Sequence, residues 1–245
     1  AYDVVVANLG DHHGHHGAVV PALPHLGAVV ILHDRFYSSL AGPAFATPDS
    51  WSRLRKVVRL TYGDDAISDD GPYWLPVEQM AATRSMIEWF AGLAIGAVVH
   101  AEHYVEAARA ACPGPVKAIP LAYPDQGFVP LRPAGEQLTI VTLGHLNPNK
   151  RADRVLIALA GLGKRRDRWR YRLVGPYEES ERVRLLALAD HLGIAPPTFT
   201  GRVSDGDLLR EVETADVICC LRNPILEGGS ASAIFGMQSA RPLLV

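Results

Sequence analysis

The sequence predicts an α/β protein built from two Rossmann-like domains facing a cleft, each a parallel sheet with helices on both faces. Three observations carry this. Short apolar runs of strand length recur along the chain with helical patterns between them. The alternation stops at a Pro- and Gly-bearing stretch, Pro124 to Gly135, and then starts again. The runs are continuously apolar rather than alternating, which suits strands buried on both faces, as in a parallel sheet.

In order, YDVVVANL (Tyr2 to Leu9) is the first strand and GAVVIL (Gly27 to Leu32) the second. A helical pattern covers Val77 to Leu93, and GAVVH (Gly96 to His100) is the third strand. A helix over Val105 to Ala111 leads to VKAIPL (Val116 to Leu121). After the link come LTIVTLG (Leu138 to Gly144), a helix beginning near Ala152, YRLVGP (Tyr171 to Pro176), TFTG (Thr198 to Gly201), VICCL (Val217 to Leu221) and PLLV (Pro242 to Val245). The division is placed at residues 1–130 and 131–245. The first residues already read as a strand and the last as a strand with nothing after it, so the chain is expected to be a fragment lacking both ends.

Composition narrows the partners. With 245 residues and 48% hydrophobic content the chain has enough apolar material for substantial cores. Its 24 basic and 26 acidic residues leave a formal charge of −2, which argues against a nucleic-acid partner. The basic run KRRDRWRYR (Lys164 to Arg172) is the local exception. It reads as a solvated helix end and strand entry, or as a contact for anionic lipid headgroups at the inner face of a membrane. Cys112, Cys219 and Cys220 imply no disulfide framework, which fits a cytoplasmic setting. The longest apolar stretch, Trp89 to Val99, is too short to span a bilayer.

The candidate chemistry collects at strand ends, where open α/β sheets bind ligands. Asp11 to His16 (DHHGHH) follows the first strand. Four imidazoles there have incidental affinity for transition metals, while a specific site needs fixed geometry and further ligands. His33 and Asp34 close the second strand; Asp34 orients His33 or caps the following turn. His100 closes the third and is read as structural. Lys150, with Arg151 beside it, precedes a helix and is placed to reach a phosphate. Glu227, Gly228, Gly229 and Ser230 precede a short helix whose first amides have no internal partners. Glu227 either accepts hydrogen bonds from ligand hydroxyls or complements the helix dipole as a cap. No Asp-x-Asp pair stands at a strand end; Asp64, Asp65, Asp69 and Asp70 sit in a polar loop.

Three ordered stretches, Thr142 to Leu159 (TLGHLNPNKRADRVLIAL), Phe199 to Leu221 (FTGRVSDGDLLREVETADVICCL) and Leu221 to Val245 (LRNPILEGGSASAIFGMQSARPLLV), resemble family 4 retaining glycosyltransferases, the glycosyltransferase group 1 with the GT-B fold. In the last, Glu227, Gly228 and Gly229 are followed by Ala240, Arg241 and Pro242, as in the family signature. VILHD (Val30 to Asp34), VVHAEHYVEAA (Val98 to Ala108) and AIPLAYP (Ala118 to Pro124) extend the resemblance into the first half. The resemblance implies transfer of a sugar from a nucleotide-sugar donor to a glycan or lipid-linked acceptor with retention, in bacterial polysaccharide assembly, with the two domains closing over the donor.

It implies no divalent metal and no cofactor beyond the donor. It makes His33 the cleft histidine and gives Glu227 the donor sugar hydroxyls. Lys150, His145 and Arg151, with the amides of Gly228, Gly229 and Ser230, go to the diphosphate. His15 and Asp34 fall on the acceptor side. The chain departs from the family where Phe235 replaces the ribose-holding glutamate and His145 the turn arginine; Phe235 cannot accept a hydrogen bond and His145 is a part-time cation near neutral pH. These departures keep open a non-catalytic nucleotide- or glycan-binding relative. The shared architecture keeps open a sugar-nucleotide epimerase or phosphorylase.

Overall fold

The computed structural model describes residues 3–44, 48–64, 77–127, 135–163 and 168–245. Asp65, Asp69 and Asp70, residues 164–167 of the basic run and residues 128–134 of the link lie outside the described residues. Two compact units emerge. The first comprises Ala1–Ala122 and Pro224–Gly229, the second Tyr123–Asn223 and Ser230–Val245.

In the first unit, β1 (Val6–Leu9), β2 (Val29–Leu32), β3 (Gly96–Val99) and β4 (Val116–Ala118) form a parallel sheet in that order. Around it run α1 (His13–His16), α2 (Leu23–Leu26), α3 (Ser38–Ala44), α4 (Pro48–Tyr62), α5 (Val77–Thr83), α6 (Ile87–Gly92) and α7 (Val105–Arg109). Leu9, Leu23, Val30, Leu32, Phe90 and Val99 anchor the core. The helix expected over Val77 to Leu93 is broken into α5 and α6. Its apolar period continues through Arg84–Met86, but the backbone there is claimed from elsewhere. The Ser85 carbonyl accepts from Tyr37 N at 2.8 Å and Met86 N donates to the Tyr62 hydroxyl at 2.7 Å, with buried Met86 left-handed at φ 62°. Three fixed tertiary demands outweigh a propensity worth only tenths of a kcal/mol per residue.

In the second unit, β5 (Leu138–Leu143), β6 (Trp169–Val174), β7 (Thr198–Gly201), β8 (Val217–Cys219) and β9 (Leu243–Leu244) form a parallel sheet in the order β7-β6-β5-β8-β9. Its helices are α8 (Ala152–Ala160), α9 (Glu179–His191), α10 (Asp205–Thr214) and α11 (Ala231–Gln238). The chain winds outward from β5 through β6 to β7, then returns to the other side of β5 for β8 and β9. The order therefore reverses between β5 and β8. Both faces are covered: Ile140, Leu156, Trp169, Tyr171 and Cys219 pack on one, and Val141, Leu143, Val212, Ile218, Cys220 and Phe235 on the other. Strand alternation sends the adjacent Cys219 and Cys220 to opposite faces, so they do not pair; all three cysteines are free thiols. In the described part of the basic run, Trp169 and Tyr171 are buried in β6, while Arg170 bonds Thr139 Oγ1 at 2.8 Å and Arg172 grips Glu211.

Arg241, in the Ala-Arg-Pro step before β9, is 5% exposed and donates to the carbonyls of Ala215 (3.1 Å), Ser239 (2.8 Å) and Glu213 (2.8 Å). Truncation leaves those carbonyls without their charged donor. Arg241→Ala is expected to cost about 3 kcal/mol or more in urea unfolding, with Arg241→Lys recovering only part because an ammonium cannot reproduce the fork. A loss below about 1 kcal/mol would contradict this. Among the described residues no helix is long and apolar enough to cross a membrane.

Candidate functional site

In the first unit the register pairs Leu9 with Leu32, Leu32 with Val99 and Val99 with Ala118. The next residues, Gly10, His33, His100 and Ile119, therefore stand in a row along the carboxyl edge. A Cβ on Gly10 would lie 3.1 Å from His16 Nε2 and 3.3 Å from Asp34 Oδ2, so its absence lets ring and carboxylate flank the strand end. His16 Nδ1 contacts the Asn8 carbonyl at 3.0 Å. Asp34 Oδ2 accepts from Asp11 N at 2.6 Å, and Asp11 Oδ1 from Leu40 N at 2.7 Å. Two buried tyrosines brace the row. Tyr37 accepts from Asp34 N and donates to the Leu9 carbonyl, both at 3.1 Å; Tyr104 accepts from His100 N at 2.6 Å and donates to the Leu32 carbonyl at 3.2 Å.

Burial sets the electrostatics here. It raises the Asp11 carboxyl to about 7, with Asp34 adding to the rise and the Leu40 and Ser39 hydrogen bonds opposing it. Burial also raises Asp34, against the Asp11 amide, and Glu227 raises it further. His33 is lowered by burial, then by His100 and His16, so its ring is held neutral.

The segment Pro224–Gly229 packs with this unit. Glu227 forms an antiparallel bridge with Asp34, Arg35 N donates to the Leu226 carbonyl at 2.9 Å, and Gly228 N donates to the His33 carbonyl at 3.1 Å. The Gly228 amide, expected to face an anion, is thus engaged by protein, because the bridge draws it onto the β2 edge. Gly229 faces His100 and Leu121: a Cβ there would lie 3.5 Å from the Cβ of each. Glu227 is not the cap of α11. Ser230 is, its Oγ accepting from Ala233 N at 3.3 Å. His15 is exposed and stacks on His12 with ring centroids 4.5 Å apart.

In the second unit the candidate residues gather near the reversal between β5 and β8, where ligands of doubly wound sheets bind. Gly144, at φ 94°, ends β5, and Lys150 Nζ lies 3.4 Å from where its Cβ would stand. Lys150 is 5% exposed, a buried side chain and not a solvated loop lysine. Gly175, at φ 134°, makes room for the Gly144 carbonyl, which a Cβ would meet at 2.4 Å. Arg151 is left-handed at φ 53°, with Nε 3.5 Å from Asp153 Oδ1. His145 is exposed, 3.9 Å from Glu178 Oε1. From the β8 side, Asn223 N donates to the Asn149 carbonyl at 2.9 Å, tying the two loops together. Arg222 reaches the start of α11, donating to Ser232 Oγ at 3.0 Å and Ser230 Oγ at 3.3 Å. A cavity of about 230 Å³ opens here, lined among others by Gly144, Gly175, Arg202, Ser232, Tyr123 and Phe235. The last two rings meet edge to face with centroids 6.3 Å apart, and Phe235 is otherwise core.

Sequence reasoning singled out the Asp11–His16 run without giving Asp11 or His16 an individual role, passed over Arg222, and read His100 as structural. Asp11, His100 and Arg222 stand one to three residues past a strand end and His16 seven, and such a place does not separate a functional residue from a loop residue. Among the described residues no group of three or more His, Cys, Asp or Glu is placed to hold a metal ion.

Residues 127–242 match the family model of glycosyl transferases group 1. Similar solved structures include the pneumococcal O-GlcNAc transferase GtfA in complex with UDP and GlcNAc (15% identity over 97% of this chain and 41% of that one, TM-score 0.56). Sucrose-phosphate synthase from Thermosynechococcus elongatus (17%, 92% and 58%, TM-score 0.55) and Anabaena HepE in complex with UDP and glucose (14%, 96% and 64%, TM-score 0.52) are others. At such identities the likeness shows the fold, GT-B. The chain spans about two fifths of the length of the first of these. No curated protein sequence matches it.

Proposed function

We propose that this chain, which over residues 127–242 belongs to the glycosyl transferases group 1, moves a sugar from a nucleotide-sugar donor to a glycan or lipid-linked acceptor, with retention and without a divalent metal. The observation that carries the reading is the cavity at the carboxyl edge of the second unit's sheet, apolar around Tyr123 and Phe235 with Arg202 in its lining, where Lys150 Nζ stands behind Gly144 and Arg222 holds Ser232 Oγ. A guanidinium beside the first turn of α11 opposes the helix dipole, a placement that becomes favourable when an anion sits between them. A nucleoside diphosphate meets both demands, the base against the rings and the phosphates at the helix start. Two of the similar structures hold UDP.

Breaking the sugar–diphosphate bond leaves negative charge on the departing oxygen. Preorganised donors stabilise it, and Lys150 with Arg222 and the amides from Gly229 onward are those assigned to it, with His145 and Arg151 as auxiliary cations. In the first domain His33 and Glu227 take the sugar, and Asp34 and His15 the acceptor side. A lipid-linked acceptor would set the work at the cytoplasmic face of a membrane.

The test is thermal unfolding in chelator against UDP, GDP and their common sugar conjugates. At a hundred times its dissociation constant a ligand adds about 2.7 kcal/mol, several degrees for a protein of this size. One nucleotide is expected to give that shift in the wild type and none in Lys150→Ala. An equal shift in Lys150→Ala, or none with any nucleotide, counts against the site; release of UDP without change at the anomeric carbon of the product separates retention from inversion.

A further inference from the structure

We propose that His100 is a positioning residue that holds His33 in its Nδ1–H tautomer, leaving Nε2 of His33 as a hydrogen-bond acceptor for a sugar or acceptor hydroxyl. Two contacts carry this. His100 Nδ1 lies 2.9 Å from the Ile119 carbonyl oxygen, and His100 Nε2 lies 2.9 Å from His33 Nδ1. A carbonyl only accepts, so His100 Nδ1 carries a proton. In a neutral His100 the other nitrogen then offers a lone pair, and the hydrogen between the rings belongs to His33 Nδ1. His33 is left with one acceptor, Nε2. Neutral rings satisfy both contacts in no other way.

The arrangement is built into the backbone. Strand register places His33, His100 and Ile119 abreast. His100 N is tied to the Tyr104 hydroxyl at 2.6 Å, Gly229 packs against its Cβ, and the two rings lie 4.9 Å apart at 38°. The other groups facing the pair are His16, Asp34 and Tyr104, with Glu227 acting on Asp34. Burial next to His100 and His16 disfavours charge on His33, consistent with a neutral ring.

The same geometry defines a relay. A proton arriving at His33 Nε2 is matched by passage of the Nδ1 proton to His100 Nε2, so the pair gains one proton and the charge comes to rest on His100, beside the Ile119 carbonyl. His33 then presents an Nε2–H donor in place of its acceptor. The proton placement stands on these contacts alone; its use in transfer rests on the donor reading above.

Nitrogen-15 labelled histidine in the whole chain, observed by long-range proton–nitrogen correlation at mildly alkaline pH, reads the tautomers without any substrate. The expected result is an unprotonated Nε2 on His33 in the wild type, a shift toward Nε2–H in His100→Ala, and return in His100→Gln, whose amide oxygen can accept from Nδ1. An Nε2–H His33 in the wild type, or a His33 spectrum unmoved by His100→Ala, overturns the proposal. With UDP-glucose or UDP-N-acetylglucosamine as probe, kcat is expected to fall about tenfold or more in His100→Ala with KM little changed, recovering in His100→Gln. Failure of the wild type to turn over either probe counts against the donor reading, while the spectra still decide the tautomer.

Discussion

Gly228→Ala is expected to destabilise the first domain by about 3–6 kcal/mol and to detach the Glu227 segment from it. A Cβ at this position would stand 1.9 Å from the Tyr104 hydroxyl oxygen, 2.5 Å from its Cζ and 2.8 Å from the His33 carbonyl. None of these yields cheaply. The Tyr104 ring is buried and its hydroxyl serves both His100 N and the Leu32 carbonyl, so moving it strands two backbone groups at about 1–3 kcal/mol each. If the segment moves instead, it gives up the Gly228 N to His33 and Arg35 N to Leu226 hydrogen bonds, together with the packing of Leu226 on Phe36, Met80 and Ala81. Urea unfolding measures the loss. A double-mutant cycle with Tyr104→Ala identifies the cause, since removing the ring vacates the space and the pair should cost at least about 1 kcal/mol less than the sum. Additive effects, or a Gly228→Ala protein within about 1 kcal/mol of wild type, would show that the close approach is not what fixes this segment.

Among the described residues the strands were legible as short runs rich in apolar residues, most clearly β2, β3 and β5, because a strand covered on both faces needs few polar positions. Helices were less so. Val77 to Leu93 keeps a helical period throughout, and what breaks it, hydrogen bonds from Tyr37 and to Tyr62, comes from residues far away in sequence. Strand-end position marked His33 and His100 alike and could not show that they meet: contact between them depends on which residue of β3 stands beside Leu32, and a one-residue slip would leave the two rings out of register. Arg222 was invisible for a related reason. Its meaning comes from the two serines at the start of α11, the cap Ser230 and Ser232, that it grips, and spacing alone shows neither the loop's path nor the helix's direction. The Gly228 amide shows the opposite failure, a helix-start donor whose partner, the His33 carbonyl, lies 195 residues earlier and in a different sheet edge from the helix it precedes.

Asp11 should make the protein less stable as the pH rises from the ordinary carboxylate range to neutrality. Its folded-state value of about 7 lies above the 3.8 of an unperturbed aspartate. Through that window the folded protein keeps a proton that the unfolded chain has released, so the unfolding free energy falls with pH, by as much as about 4 kcal/mol for a displacement of three units. Asp34, also raised, acts in the same sense. His33 acts oppositely: lowered in the folded state, it makes the protein gain stability as pH rises through the range just below 6.5. The bare profile mixes these, and a substitution separates them. Asp11→Asn keeps an oxygen to accept from Leu40 N and has nothing to ionise, so at about pH 8 it should be more stable than wild type by several kcal/mol, the gap closing near pH 4. Urea midpoints at the two ends decide it, and parallel curves would show that Asp11 ionises normally. A buried acid that costs stability at neutral pH is hard to explain by packing. Beside Asp34, itself bridged to Glu227, it keeps a proton among carboxylates at the carboxyl edge of the strands, the edge at which open α/β sheets bind ligands and where a costly perturbation has a use.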